Sequence, residues 1–246
     1  MLQDISTVFW RDWVVLKQRM KTFIFSRMVT PVLCLVAFGW GLGRNVQFEG
    51  GSYLDFIVPG ILALNSMNIS FDSVGSPLNM SRLYHKTLEE YLVAPISPVA
   101  FVLGKILSGT LRGLISSAII IVLSYLFGAR FFVNFQFALV VVLNCMAFSG
   151  LGFVASMLIN SHEGMGNFST YVLLPMSFLC ATFFNISKLP DSVRTIIELL
   201  PLTHCTYALR AIGAGGEAPL ASWINLTAYV LVLVGVSVWT MERVRR

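Results

Sequence analysis

Arg82-Leu-Tyr-His-Lys-Thr-Leu-Glu-Glu-Tyr-Leu-Val-Ala-Pro-Ile-Ser-Pro-Val-Ala-Phe-Val-Leu-Gly-Lys105 is a polar, charged interruption of an otherwise apolar chain, and its reading decides the fold. Thr87 followed three residues later by Glu90 has the form of a capping box, in which hydroxyl and carboxylate close the free amides of a helix start, so a helix is expected from Leu88. A residue before proline avoids the helical region, so Pro95 ends that helix at Ala94, about 10 Å further on. Two turns are not stable alone in water. Leu88, Tyr91 and Leu92 stand at i, i+3 and i+4 and make one apolar face, with Glu89 and Glu90 pointing elsewhere. The helix needs a partner surface, either lipid or protein. Acid on its polar side, which anionic head groups would repel, favours protein. Ser97 and Pro98 then supply the cap and first position of a long helix, which ties the short helix tightly to a membrane span.

Composition places the rest in a bilayer. Hydrophobic residues make up 56% of the 246 and charged residues 12%, with a mean hydropathy of +0.77, values a soluble domain does not reach. The net charge of +5 is too small and too dispersed for nucleic-acid binding. Cys34, Cys145, Cys180 and Cys205 read as packing residues, and His85, His162 and His204 lack metal-ligand spacing.

Outward from the opening stretch, the expected fold is an all-α membrane protein with six transmembrane helices. Residues 1–22 read as an amphipathic interfacial helix, with Ile5, Val8, Phe9, Trp13 and Leu16 on one side and Arg11, Lys17, Arg19 and Lys21 on the other. The alternative is the same helix packed on a partner protein. Residues 23–246 form a single transmembrane domain, with spans at about 23–43, 56–77, 98–127, 132–158, 168–184 and 221–241. In the second span Asn65, Asn68, Asp72, Ser76 and Asn79 recur at three and four residues and draw a polar stripe down one face. Asn65, Asn68 and Asp72 are candidates to line a water-accessible path or a helix interface. In the third span Lys105 can snorkel to water. Arg112 lies deeper and either pairs with Asp72 of the preceding span or reaches head-group phosphates. Ser149, Gly152 and Ser156 give the fourth span a small-residue edge, and residues 162–166 read as a loop. Pro190 and Pro201 break the partly apolar 189–216 into two short helices that dip into the outer leaflet or lie on it, a re-entrant hairpin before the last span.

Six spans put both termini on one side. The basic residues cluster near the termini and the short helix, with Arg44, Arg130, Lys188, Arg194 and Arg210 opposite, so termini and short helix are cytoplasmic. No catalytic constellation is visible, and Gly104-Lys105 lacks the further glycine and the Ser or Thr of a phosphate-cradling loop. Work done against a gradient must therefore be driven from elsewhere.

Three stretches carry a family resemblance: Tyr53-Leu-Asp-Phe-Ile-Val-Pro-Gly60, Thr87-Leu-Glu-Glu-Tyr-Leu-Val-Ala-Pro-Ile-Ser97 continuing to Gly104-Lys105, and Leu189-Pro190 with Leu200-Pro-Leu-Thr203 and Leu209-Arg210. They resemble the entry to the second span, the coupling helix and the outer re-entrant segment of ABC-2 type ATP-binding-cassette exporter permeases. Lys86 departs from the family pattern, which more often has glycine there. The resemblance implies no cofactor in this chain, with ATP and magnesium held by two cytoplasmic ATP-binding-cassette subunits, and a second copy of the chain or a similar permease beside it. It further implies that Thr87, Leu88, Glu89, Glu90, Tyr91 and Leu92 seat in a groove of the ATPase, and that the path opens between subunits, bordered by the first, second and fifth spans. The expected function is an inner-membrane exporter of an amphiphile such as a drug, lipid or glycolipid. A carbohydrate exporter and a non-transporting membrane scaffold are the alternatives.

Overall fold

A computed structural model describes residues 1–37, 53–180 and 191–245. The regular structure among these residues is all helical, with no strand. In order they form α1 (Leu2–Gln18), α2 (Met20–Val36), α3 (Tyr53–Leu83), α4 (Thr87–Val93), α5 (Pro98–Leu126), α6 (Phe135–Leu158), α7 (His162–Phe168), a π-helical turn (Ser169–Leu173), α8 (Leu174–Leu179), α9 (Asp191–Glu198), α10 (Pro201–Gly213) and α11 (Leu220–Arg245). Among the described residues four helices, in α3, α5, α6 and α11, are long and apolar enough to cross a membrane. The expected first span, 23–43, is described only as far as residue 37, and the fifth, 168–184, as far as residue 180.

Local chemistry sets several boundaries. Ser97 Oγ accepts the Ala100 amide at 3.2 Å and Pro98 takes the first turn of α5, where its missing N–H costs nothing. Asn134 caps α6 in the same way through the Phe137 amide at 2.8 Å. The fifth-span helix starts earlier than 168: Ser161 Oγ accepts the Gly164 amide at 2.9 Å with Glu163 in the first turn, so the expected loop 162–166 is helix. Pro175 cannot donate to the turn before it, and the π-helical turn sits on its N-terminal side. α3 runs through Pro77 to Leu83, past the expected end at 77.

α3 and α6 form the centre of the bundle, flanked by α5, α10 and α11. They approach at Gly75 and Gly152, where a Cβ on Gly152 would stand 2.6 Å from the Phe71 carbonyl oxygen, so the small-residue edge of α6 is a close-packing seam. The stretch 189–216 does hold two short helices, but α10 is packed among α3, α6 and α11 with Leu202, Cys205, Ala208, Leu209 and Ile212 buried. Arg210 anchors it, with its guanidinium 3.7 Å from the Phe56 ring centroid and Nε donating to the Phe56 carbonyl at 3.1 Å. The four cysteines are free thiols, and Cys145, Cys180 and Cys205 are buried.

Candidate functional site

The short helix α4 sits at the end of the bundle where α3 stops and α5 begins. It spans Thr87–Val93, one residue earlier than the capping box implies. Lys86 occupies the N-cap position at φ 54° and ψ 12°, and no side chain caps the helix. Thr87 is thereby drawn into the first turn, where its hydroxyl meets that of Ser81 instead of closing a free amide. Left-handed backbone suits glycine and costs a side-chain-bearing residue about 1 kcal/mol or more. At the other end Ala94 is extended before Pro95, as the sequence requires.

The apolar face of α4 turns into the protein itself. Leu88 is 2% exposed, in a buried cluster with Val8, Leu78, Phe101, Phe153 and Met241. The Tyr91 ring packs on Phe101 with centroids 4.7 Å apart, and Arg11 of α1 lies over it at 5.1 Å while donating to its hydroxyl. That contact raises the Arg11 pKa above its ordinary value and keeps the cation in place. The Leu92 side chain lies outside what the structure describes. The face left to solvent carries Glu89, Glu90 and Val93, the last 88% exposed. Leu88 and Tyr91, expected to face another protein, are covered within this chain: Leu88 lies in a cluster drawn from α1, α3, α5, α6 and α11, and Tyr91 packs on α5 and α1.

α1 lies along α5. The two come close at Gly104, where a Cβ would stand 2.8 Å from Val8. Lys105 does not snorkel to water. Its Nζ donates to both carboxylate oxygens of Asp12 at 2.9 Å, with the two side chains 16% and 18% exposed. A cavity of about 270 Å³ between α1, α4 and the ends of α3 and α5 is lined by Arg11, Asp12, His85, Tyr91 and Lys105. Asp12 is the residue that reading the sequence missed; the available signal was an acid in the middle of a basic amphipathic helix, away from the first turn where Asp4 suits the helix dipole, together with a lysine set inside a span.

The polar stripe of α3 divides by azimuth. Asn65 is buried and donates to Ser116 of α5 at 2.7 Å, and Asn79 donates to the Ile159 carbonyl at 2.8 Å; both tie helices together. Asn68 faces the open side. It borders a cavity of about 160 Å³ against α2, shared with Arg27, Thr30 and Asn65, and another of about 350 Å³ against the fifth-span helix, shared with Ser169, Thr170 and Ser177. Asp72 is not paired with Arg112. Its carboxylate is 3.8 Å from Arg27 of α2, with the side chains 39% and 37% exposed, while Arg112 Nη2 reaches only the Asp12 carbonyl at 3.5 Å. Equal depth does not give equal azimuth: Asp72 looks toward α2 and Arg112 toward α1.

A bundle of long apolar helices, with a short helix set between two of them, is the architecture of a polytopic membrane protein. The family model for ABC-2 type transporters matches residues 3–213, so the chain belongs to that family, whose members are membrane subunits of transporters that work with ATP-binding-cassette partners and are not themselves catalytic. The chain is 25% identical over 222 residues to the inner membrane transport permease YadH of Escherichia coli strain K12, covering 87% of this chain and 84% of the relative. It is 27% identical over 211 residues to nodulation protein J of Rhizobium meliloti strain 1021, covering 85% and 80%. Nodulation protein J of Sinorhizobium fredii strain NGR234 is likewise 27% identical, over 207 residues covering 82% and 78%.

Proposed function

We propose that this chain is the permease of an ATP-driven exporter in a bacterial-type inner membrane, paired with a second copy or a similar permease, and that two cytoplasmic ATP-binding-cassette subunits holding ATP and magnesium drive it. Its six spans are the four long helices together with segments 23–43 and 168–184, and both termini are cytoplasmic. The observation that carries this reading is the two-sidedness of α4, with Glu89, Glu90 and Val93 outward, Leu88 buried in the cluster at the end of the bundle and Tyr91 held by α1 and α5. The outward acids seat in the ATPase and the inward side chains pass its closure to the spans. The cargo is an amphiphile, because the cleft beside α3 sets Asn68 and Arg27 next to lipid-facing apolar helix surface. α9 and α10 cap the bundle on the outer side as a re-entrant pair.

The test replaces Glu89 and Glu90 with lysine and Val93 with aspartate in the complex with its ATPase. The expected result is a folded permease whose ATPase partner no longer co-purifies or whose ATP turnover no longer responds to amphiphiles. Co-purification and export at the unmodified level would overturn the coupling role.

A further inference from the structure

The cleft on the open side of α3 has a direction. Its two parts, of about 160 Å³ and 350 Å³, share Leu64 and Asn68, so α2, α3 and the fifth-span helix wall adjoining spaces. On α3, Asn68 lies about 10 Å nearer to α4 than Ile61 does. On α2, Arg27 is level with Asp72, a turn nearer to α4 again, and Pro31 and Cys34 lie further away. The fifth-span helix begins on the α4 side, where Asn79 holds the Ile159 carbonyl, so Ser169 and Thr170 stand nearer to α4 than Leu174 and Phe178. One end is therefore polar and the other largely apolar. Of the polar residues towards the far end, Asn65 donates to Ser116 and Ser177 to the Leu173 carbonyl, both at 2.7 Å, so they are engaged within the protein.

The polar end has a cation and no acid. Arg27 lines it, Asp72 does not, and among the described residues no carboxylate does. Arg27 has the 3.8 Å contact to Asp72, too long for a hydrogen bond, and the Asn68 amide has no hydrogen-bond partner among the described residues. Positive charge is also in excess around it: Arg27, Lys105 and Arg112 are set against Asp12 and Asp72, and Lys105 already holds Asp12 at 2.9 Å. A cation within a span is costly until an anion reaches it.

We propose that this cleft selects an anionic amphiphile, its head group accepting from the Arg27 guanidinium and the Asn68 amide and its tail lying along Leu64, Leu174 and Phe178. This assigns a charge to the cargo, and it rests on the cleft being the cargo's way through the complex. A phosphate or carboxylate pairs with a planar guanidinium through two parallel hydrogen bonds, which the loose Asp72 contact leaves open. A cationic head would add to a charge already in excess.

The test is native mass spectrometry of the permease with its ATPase, with oleoyl lysophosphatidate, oleoyl lysophosphatidylcholine and oleylamine in competition, and ATP turnover measured with each. The unmodified complex should retain lysophosphatidate over lysophosphatidylcholine about ten-fold, and Arg27→Gln should erase that preference, since one charge-assisted pair corresponds to about that factor. Arg27→Lys should lose only part of it, Asp72→Asn should raise it by removing the competing carboxylate, and Arg130→Gln, a cation outside the cleft, should change nothing. Inorganic phosphate in excess should not displace the lipid, because it lacks the tail. Lysophosphatidate should also raise ATP turnover, and Arg27→Gln should blunt that response; retention with no response marks a resident lipid and overturns the assignment. A preference that survives Arg27→Gln or falls with Asp72→Asn, or displacement by phosphate alone, overturns it equally. If all three amphiphiles raise turnover alike, export of amphiphiles stands and the charge selection is lost; if none does, the export reading fails and takes the selection with it.

Discussion

At Lys105 and at Arg27 the same kind of contact, a cation of one helix against a carboxylate of another, is made in two ways. Lys105 and Asp12 are largely buried and joined by two 2.9 Å hydrogen bonds, beside the packed Leu88 cluster. Arg27 and Asp72 stand 3.8 Å apart, more than a third exposed, with Arg27 on the wall of the cleft that Asn68 borders. The first pair is desolvated and specific in geometry, so removing one partner strands a buried charge. The second is loose and solvated, so it contributes little to stability and leaves both groups available to a visitor. Stiffness is concentrated around α4 and adaptability around Asn68.

Substitutions can break this contrast. Leu88→Asp puts a carboxylate into the cluster under α4 and should destabilise the permease by about 4 kcal/mol, read as a lower thermal midpoint in detergent; an unchanged midpoint would mean that Leu88 is not held there. Asp12→Ala should cost about 3 kcal/mol by stranding Lys105, and adding Lys105→Met should recover most of the loss, a coupling measurable in a double-mutant cycle. Lys86→Gly should raise stability by about 1 kcal/mol, because it relieves the left-handed backbone at the α4 N-cap; a loss instead would show that the lysine side chain has a role in the turn. Asp72→Asn should change stability by less than about 1 kcal/mol while altering export, and if stability falls as far as in Asp12→Ala the two pairs are not different in kind.

What the sequence made legible follows the range of the physics involved. The start of α5 at Ser97-Pro98, the end of α4 before Pro95 and the break before Pro201 are local steric and hydrogen-bond events, and they stand where the residues place them. The capping box was legible as a pattern yet does not form, because Lys86 takes the N-cap position and Thr87 is engaged by Ser81. Helical spacing identified an apolar face on α4 but carried no information about what covers it, and α1, distant in sequence, turned out to be part of the answer. The charge partners failed for a related reason. Depth in a membrane can be counted along a helix, whereas azimuth depends on how α1 and α2 lie against α5 and α3, so Arg27 took the place beside Asp72 assigned to Arg112, and Asp12 took Lys105, which had been expected to reach water.

The joints at either end of α4 are short. Residues 84–86 connect it to α3, with the Tyr84 and His85 amides both bonded to the Met80 carbonyl at 3.0 Å, and 94–97 connect it to α5. There is almost no slack in either. A displacement imposed on the acidic rim of this crosspiece has nowhere local to dissipate, and arrives together at the feet of two spans that are already stitched to each other by Asn65 and Ser116.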